Sequence, residues 1–264
     1  MSRRFPPTPG ARQARSSTPK PKHYGSVVSL PRALSKLGLC SRTEAAALIE
    51  AGRVTVDDRP ARSLSQRVDL GRMRVALDGR AIIAERPIYL MLNKPRGLVT
   101  TRRDPQERST VYDCLPPGLP FLSPVGRLDK ASEGLLFLTN DTRWAEHLLN
   151  PVSAIPKTYH VKIDRIADTD LLVALSQPIR DGSELLGAAA VTLLRSGARS
   201  SWIEIVLTEG RNRQVRRMMA ASGANVLRLV RVAVAGIPLG DLAKGMTRHL
   251  TTVEVAGTRT NEKQ

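Results

Sequence analysis

The sequence predicts an α+β protein in two parts: a small N-terminal α/β module over residues 26–85 and a larger domain over 86–256. Three observations predict this. Helical spacing of apolar residues, with a capping signal, is concentrated near residues 29–56. Beyond residue 87 the chain is dominated by short apolar or alternating runs, the pattern of strands, with a few helical stretches between them. Composition shifts at Glu85-Arg86-Pro87, a charged, proline-containing break. A chain of 264 residues that is 41% hydrophobic can bury one small and one larger core.

Residues 1–25 carry Arg3, Arg4, Arg12, Arg15, Lys20 and Lys22 without an acidic residue, and proline, serine and glycine fill the gaps. Such a segment has too little apolar surface to offset the entropy of ordering, so it reads as a disordered basic tail, either an RNA-tethering arm or a solubilising one. In LPRALSKLGL, Leu30, Leu34 and Leu37 share a helical face. Ser41-Arg42-Thr43-Glu44 is a capping box opening a second helix with Ala45, Leu48 and Ile49 inward. Gly52 closes it and a strand begins at Arg53. Asp78-Gly79 is a hairpin turn within the strand-like residues 73–83.

The larger domain opens with a short apolar strand at 88–92, which runs into Asn93-Lys94-Pro95-Arg96-Gly97 and then Arg102-Arg103. Four basic residues around a Pro-Gly loop make either a phosphate cradle or a solvated loop. Next comes PVGRLDKASEGLLFLTND, residues 124–141. Gly126-Arg127-Leu128-Asp129 is a polar turn, and 135–138 a buried strand that Gly134 enters at a close backbone approach. Asp129 is thus a carboxylate on a turn, beside Arg127 and near a rigid strand. Catalysis needs that placement, although a turn aspartate with local hydrogen bonds is the plainer alternative.

A helix is expected over 142–150 with Trp144 and Leu148 inward. Residues 157–163 alternate, with Tyr159, Val161 and Ile163 on one face and His160 and Lys162 on the other. Residues 168–175 read as helical, 179–182 and 185–194 as strands or turns, and 201–207 as an alternating strand. In TEGRNRQVRRMM, a 100° projection puts Arg213, Arg216 and Arg217 on one side of a helix and Val215, Met218, Met219 and Ser222 on the other. A strand over 226–234 follows, carrying Arg228 and Arg231, and residues 257–264 read as a short polar tail.

The formal net charge is +17. That points to a polyanionic partner, because lysine and arginine release condensed counterions when they meet phosphates. No run approaches the ~20 apolar residues of a membrane span, and no amphipathic membrane anchor or lipidation signal is evident. Cys40 and Cys114 lie far apart and form no CxxC, so a reducing cytoplasm is expected. The four histidines are scattered, leaving no readable metal cluster. Neither GxxxxGK[ST] nor GxSxG is present.

GRLD followed by SEGLLFLTND resembles the signature of the pseudouridine synthases, in the branch that modifies ribosomal RNA and carries an extra RNA-binding domain. LNKPRGLVTTRRD, KTY, EGRNRQVRRM and the segment Leu239-Gly240-Asp241-Leu242…Gly245 are similar to further family motifs in the same order, so the resemblance spans about residues 29–254. It implies a mixed, mainly antiparallel sheet. It implies that Asp129 is the catalytic residue, that Tyr159 packs against the target base and that Arg216 pairs with Asp129. Leu227 is a further candidate for contact with the base. The N-terminal helix–turn–helix–strand resembles the S-four RNA-binding module, which makes Arg32, Lys36, Arg42 and Arg53 RNA-contact candidates. Lys94, Arg96, Arg102, Arg103, Arg127, Arg213 and Arg217 complete that set. One departure is Ser132, where relatives more often carry threonine; the hydroxyl is kept.

The implied reaction isomerises uridine to pseudouridine within RNA, more often in the large ribosomal subunit given the GRNRQVRRM wording, with no cofactor and no metal. The implied partner is ribosomal RNA or an assembling ribosomal particle, met by a monomer. A guanidinium near the carboxylate would favour its ionised form. Two other classes are open on the residues alone: a non-catalytic RNA-binding ribosome-assembly protein, and a DNA-binding regulator suggested by the first two helices.

Overall fold

The computed structural model describes residues 27–83 and 85–259. The basic tail expected over 1–25 therefore lies outside the described residues.

The N-terminal module forms because two short helices can bury their leucines only against each other and a small sheet. Helix Leu30–Lys36 and helix Arg42–Glu50 place Leu30, Ala33, Leu34, Ala45 and Ile49 in one core with Val54, Val56, Val68 and Val75. The expected capping box is formed: Ser41 Oγ accepts from the Glu44 amide at 3.2 Å, and Glu44 accepts from the Ser41 amide at 3.0 Å. Four strands, Arg59–Pro60, Val54–Val56, Val75–Leu77 and Arg80–Ala81, lie in that order. Asp78 and Gly79 both take positive φ at the hairpin turn.

The larger domain is built on a nine-stranded sheet. Seven strands run in the order Ala190–Ser196, Ser201–Leu207, Lys157–Ile163, Val226–Val234, Glu133–Thr139, Tyr89–Lys94 and Thr247–His249. Short strands Ser123–Pro124 and Ile237–Pro238 attach to Glu133–Thr139 and Val226–Val234. Within this sheet, the pairing of Val226–Val234 with Glu133–Thr139 is parallel, through Val230↔Glu133 and Arg231↔Gly134, and the other pairings are antiparallel. The sheet is therefore mixed and mainly antiparallel. Its two halves meet at this seam, where a Cβ on Gly134 would lie 2.2 Å from the Arg231 carbonyl oxygen.

Strand Glu133–Thr139 is buried on both faces, which explains its unbroken apolar run. Leu135 and Phe137 pack with Trp144 and Leu148 of helix Thr142–Leu149, while Leu136 and Leu138 pack with Leu90, Leu92 and Leu128. In the other half, Val161, Ile163, Ile203 and Ile205 meet Leu171 and Leu175 of helix Thr169–Ser176 and Val215, Met218 and Met219 of helix Gln214–Ala221. The face assignment expected for 157–163 and the alternation expected for 201–207 hold in this register.

The domain does not close at residue 256. Thr251 and Glu254 form a capping box that opens helix Thr252–Gly257, and Trp144 Nε1 donates to the buried Thr258 Oγ1 at 2.7 Å. Among the described residues, several contacts join the two domains. Arg32 pairs with Glu146, the Phe121 amide donates to the Gly38 carbonyl at 3.3 Å, and Arg102 Nε donates to Glu44 at 3.0 Å.

Candidate active site

Asp129 sits in the loop that leads into strand Glu133–Thr139, and the structure fixes that loop through its backbone. All five carbonyls from Leu128 to Ser132 accept a hydrogen bond. Thr100 Oγ1 donates to Leu128 at 2.8 Å, and the Gly97 amide donates to Lys130 at 2.8 Å. Arg216 Nη2 donates to Ala131 at 3.1 Å. Lys94 Nζ donates to Asp129 at 3.2 Å and to Ser132 at 2.8 Å. The donors come from distant segments, so the loop is held by tertiary structure. Its carboxylate stays one-third exposed (34%) and faces Arg213, with Nη1 3.5 Å from Oδ2. A carboxylate open to solvent on an immobilised backbone has the placement that a preorganised reacting group needs.

Lys94 corrects the sequence reading. It was expected in an exposed phosphate cradle, but its side chain is wholly buried and its ammonium also donates to the Pro95 carbonyl at 3.1 Å. Burial lowers its pKa from 10.5 to about 8, against the opposing pull of Asp129 and Glu133. Its chemistry is to gather carbonyls under Asp129. Glu133 plays a matching part on the strand. It is buried, and Arg228 grips it bidentately at 2.8 and 3.0 Å while Lys244 approaches to 2.6 Å. Burial pushes its pKa up, but the hydrogen bonds from Arg228 and Lys244 outweigh that and hold it below the ordinary value. The sequence reading gave Glu133, Arg228, Lys244 and Thr100 no part. The available signal was Glu133 itself, since a charge entering a buried run needs partners.

The arginines of EGRNRQVRRM divide differently from the expectation. Arg216 was expected to pair with Asp129, but the ion pair is made by Arg213. Arg213 precedes helix Gln214–Ala221 in a left-handed backbone (φ +48°), so a helical projection does not apply to it. Arg216 clamps Ala131 and the Val226 carbonyl (3.4 Å). Burial, then Arg213, lower its pKa, while Asp129 opposes them. Arg217, expected at RNA, is taken up by Asp181 and Glu184 of the hairpin Ile179–Leu186. Among the described residues, two buried side-chain polar atoms lack a partner, Ser132 Oγ and Arg216 Nε, and both belong to this loop and its clamp. Unsatisfied groups concentrate where structure is held for function.

Arg96 and Arg127 are exposed beside the Asp129 loop. Tyr159 is half-buried and packs against the cores on both sides, including the cluster that holds Leu128. Leu227 is exposed (47%) next to the Val226 carbonyl that Arg216 holds. In the module, Arg42 is exposed, Arg53 pairs bidentately with Asp78, Arg32 pairs with Glu146 and Lys36 is half-buried. Arg102 and Arg103 both reach Glu44, at 3.0 and 3.7 Å.

Residues 88–221 match the RNA pseudouridylate synthase family, and residues 28–73 match the S4 domain. This chain belongs to the RNA pseudouridylate synthases. A relative named ribosomal large subunit pseudouridine synthase B, from Bacillus subtilis (strain 168), is 36% identical over 228 residues, 86% of this chain and 93% of the relative. An RNA pseudouridine synthase of Aquifex aeolicus (strain VF5) is 34% identical over 87% of this chain and 92% of its own. The crystal structure of a pseudouridylate synthase superposes with a TM-score of 0.64 at 26% identity, covering 88% of this chain and 99% of that one. The synthase is an isomerase whose S4 domain and positive charge serve an RNA substrate.

Proposed function

We propose that this synthase converts a specific uridine of ribosomal RNA, in the large subunit, to pseudouridine, with Asp129 as the catalytic residue. The observation that carries the reading is the Asp129 loop: five consecutive carbonyls are tied down while the carboxylate remains open beside Arg213. The large-subunit assignment is supported by the name of the Bacillus subtilis relative.

In the proposed reaction the N-glycosidic bond of the uridine breaks with its electron pair left on N1, the base turns and a bond forms from the ribose carbon to C5, whose hydrogen leaves as a proton while N1 takes one up. Atoms and electrons balance without an oxidant. A carboxylate assists either by attacking the ribose carbon or by removing a proton as the glycosidic bond breaks, and both roles need it ionised. Arg213 supplies the adjacent positive charge, and Arg216 keeps the loop in place through Ala131. The uridine must leave its stack, at a cost of a few kcal/mol. Packing of the base on Tyr159 would offset part of that cost.

The test uses transcripts of both ribosomal RNAs carrying tritium at uridine C5, since forming the carbon–carbon bond releases that hydrogen. Release from the large-subunit transcript, lost in Asp129→Ala at unchanged RNA affinity, is expected. Release from the small-subunit transcript alone would overturn the subunit assignment, and undiminished release by Asp129→Ala would overturn the residue.

A further inference from the structure

The two oxygens of Glu44 do different work. Oε2 accepts from the Ser41 amide at 3.0 Å and the Ser41 hydroxyl at 2.9 Å, which caps the second helix of the S4 domain. Oε1 reaches across the domain boundary to Arg102 Nε at 3.0 Å and Arg103 Nη2 at 3.7 Å. The Arg102 guanidinium also lies over the Phe121 ring at 4.8 Å and the Tyr112 ring at 5.7 Å, so it is held on the catalytic domain as well. Two residues earlier, the Thr100 hydroxyl grips both backbone groups of Leu128, donating to its carbonyl at 2.8 Å and accepting from its amide at 3.3 Å. Leu128 is the neighbour of Asp129. The segment 97–103 is therefore a strap with one end on the Asp129 loop and the other on the S4 domain.

We propose that Glu44 is a positioning residue for Asp129, acting across the domain boundary through Arg102, Thr100 and Leu128. The proposal rests on the assignment of Asp129 made above. An exposed ion pair contributes little to stability, and the cap needs only one of the two oxygens. What the second oxygen controls is the placement of a reacting carboxylate, to which rate is far more sensitive: about 1 Å of displacement can cost ~10²-fold. The S4 domain thereby contributes to turnover as well as to RNA affinity.

Glu44→Gln separates the two jobs, because glutamine supports a capping box but offers Arg102 no carboxylate. Hydrogen exchange at the Leu128 amide and steady-state kinetics on the RNA substrate would be measured together. Expected are faster Leu128 exchange and a kcat lowered roughly 2- to 30-fold at unchanged KM and melting temperature. Thr100→Val should lower kcat likewise, Thr100→Ser should recover most of that loss, and adding Glu44→Gln to Thr100→Val should lower it no further. Glu146→Gln removes a separate ion pair across the boundary, to Arg32, and should leave kcat and Leu128 exchange unchanged. Unchanged exchange and kcat in Glu44→Gln, an effect confined to KM, or an equal loss in Glu146→Gln would each overturn the proposal. Loss of the Asp129 assignment would show separately, as turnover by Asp129→Ala, while the exchange measurement still judges the coupling.

Discussion

Gly134 and Gly97 have nearly the same φ, +99° and +101°, but different surroundings. At Gly97 an added Cβ meets nothing within 4 Å. At Gly134 it would lie 2.2 Å from the Arg231 carbonyl oxygen and 2.8 Å from the Arg231 nitrogen. Alanine at either position takes on the left-handed penalty, about 1–2 kcal/mol. At Gly134 it must also force apart the parallel seam, which has only two paired positions. Overpacking of a well-packed interior adds about 1–3 kcal/mol or more. The expected destabilisation is therefore about 1–2 kcal/mol for Gly97→Ala and about 2–5 kcal/mol for Gly134→Ala. In a protein of this size, that lowers the melting temperature by roughly 2–8 °C and roughly 4–20 °C respectively. Thermal unfolding followed by circular dichroism reads the difference directly. Equal shifts in the two variants would refute the claim that the seam requires glycine for space as well as for backbone angle.

Lys94→Met keeps the volume of the side chain but strips donors from the Pro95, Asp129 and Ser132 carbonyls. The Asp129 carbonyl keeps its bond from the Ser132 amide at 2.9 Å, and the cost of the carbonyls left bare, about 1–3 kcal/mol each, is offset by no longer burying an ammonium, so the melting temperature should move little while kcat falls roughly 10- to 100-fold. The pH profile should agree. Between about pH 8 and 10.5 the unfolded chain holds the Lys94 proton and the folded chain does not, so this group raises stability with pH. Deprotonation also removes a donor from the loop, so turnover should decline with a midpoint near pH 8 without a matching fall in melting temperature. Arg217→Ala should free the hairpin Ile179–Leu186, seen as faster amide exchange there, and leave the salt dependence of RNA binding unchanged. A residue that met phosphate would reduce that slope by about 0.7–0.9.

What was legible in the sequence was local. The Ser41–Glu44 capping box, the alternation of Tyr159, Val161 and Ile163, and the tight entry at Gly134 each depend on near neighbours or on one face of one strand. Lys94 was misplaced because LNKPRG has the composition of a solvated loop. Its burial is decided by carbonyls about 35 residues further on. The exchange of roles between Arg213 and Arg216 has a similar origin, since a helical projection assumes a helix and Arg213 stands just outside one. The C-terminal helix carries a clear cap in Thr251 and Glu254, but Val255 is its one buried residue, too little periodicity to reveal it. Arg217 is diverted from RNA by Asp181 and Glu184, acids in a stretch whose pattern is weak.

The most direct test of the central claim maps pseudouridines across both ribosomal RNAs by carbodiimide-dependent reverse-transcription stops, in cells lacking this protein and in cells given it back. The account predicts one missing stop in large-subunit RNA, restored by the wild-type chain and not by Asp129→Ala. Restoration by Asp129→Ala, or no missing stop in either subunit, would contradict it.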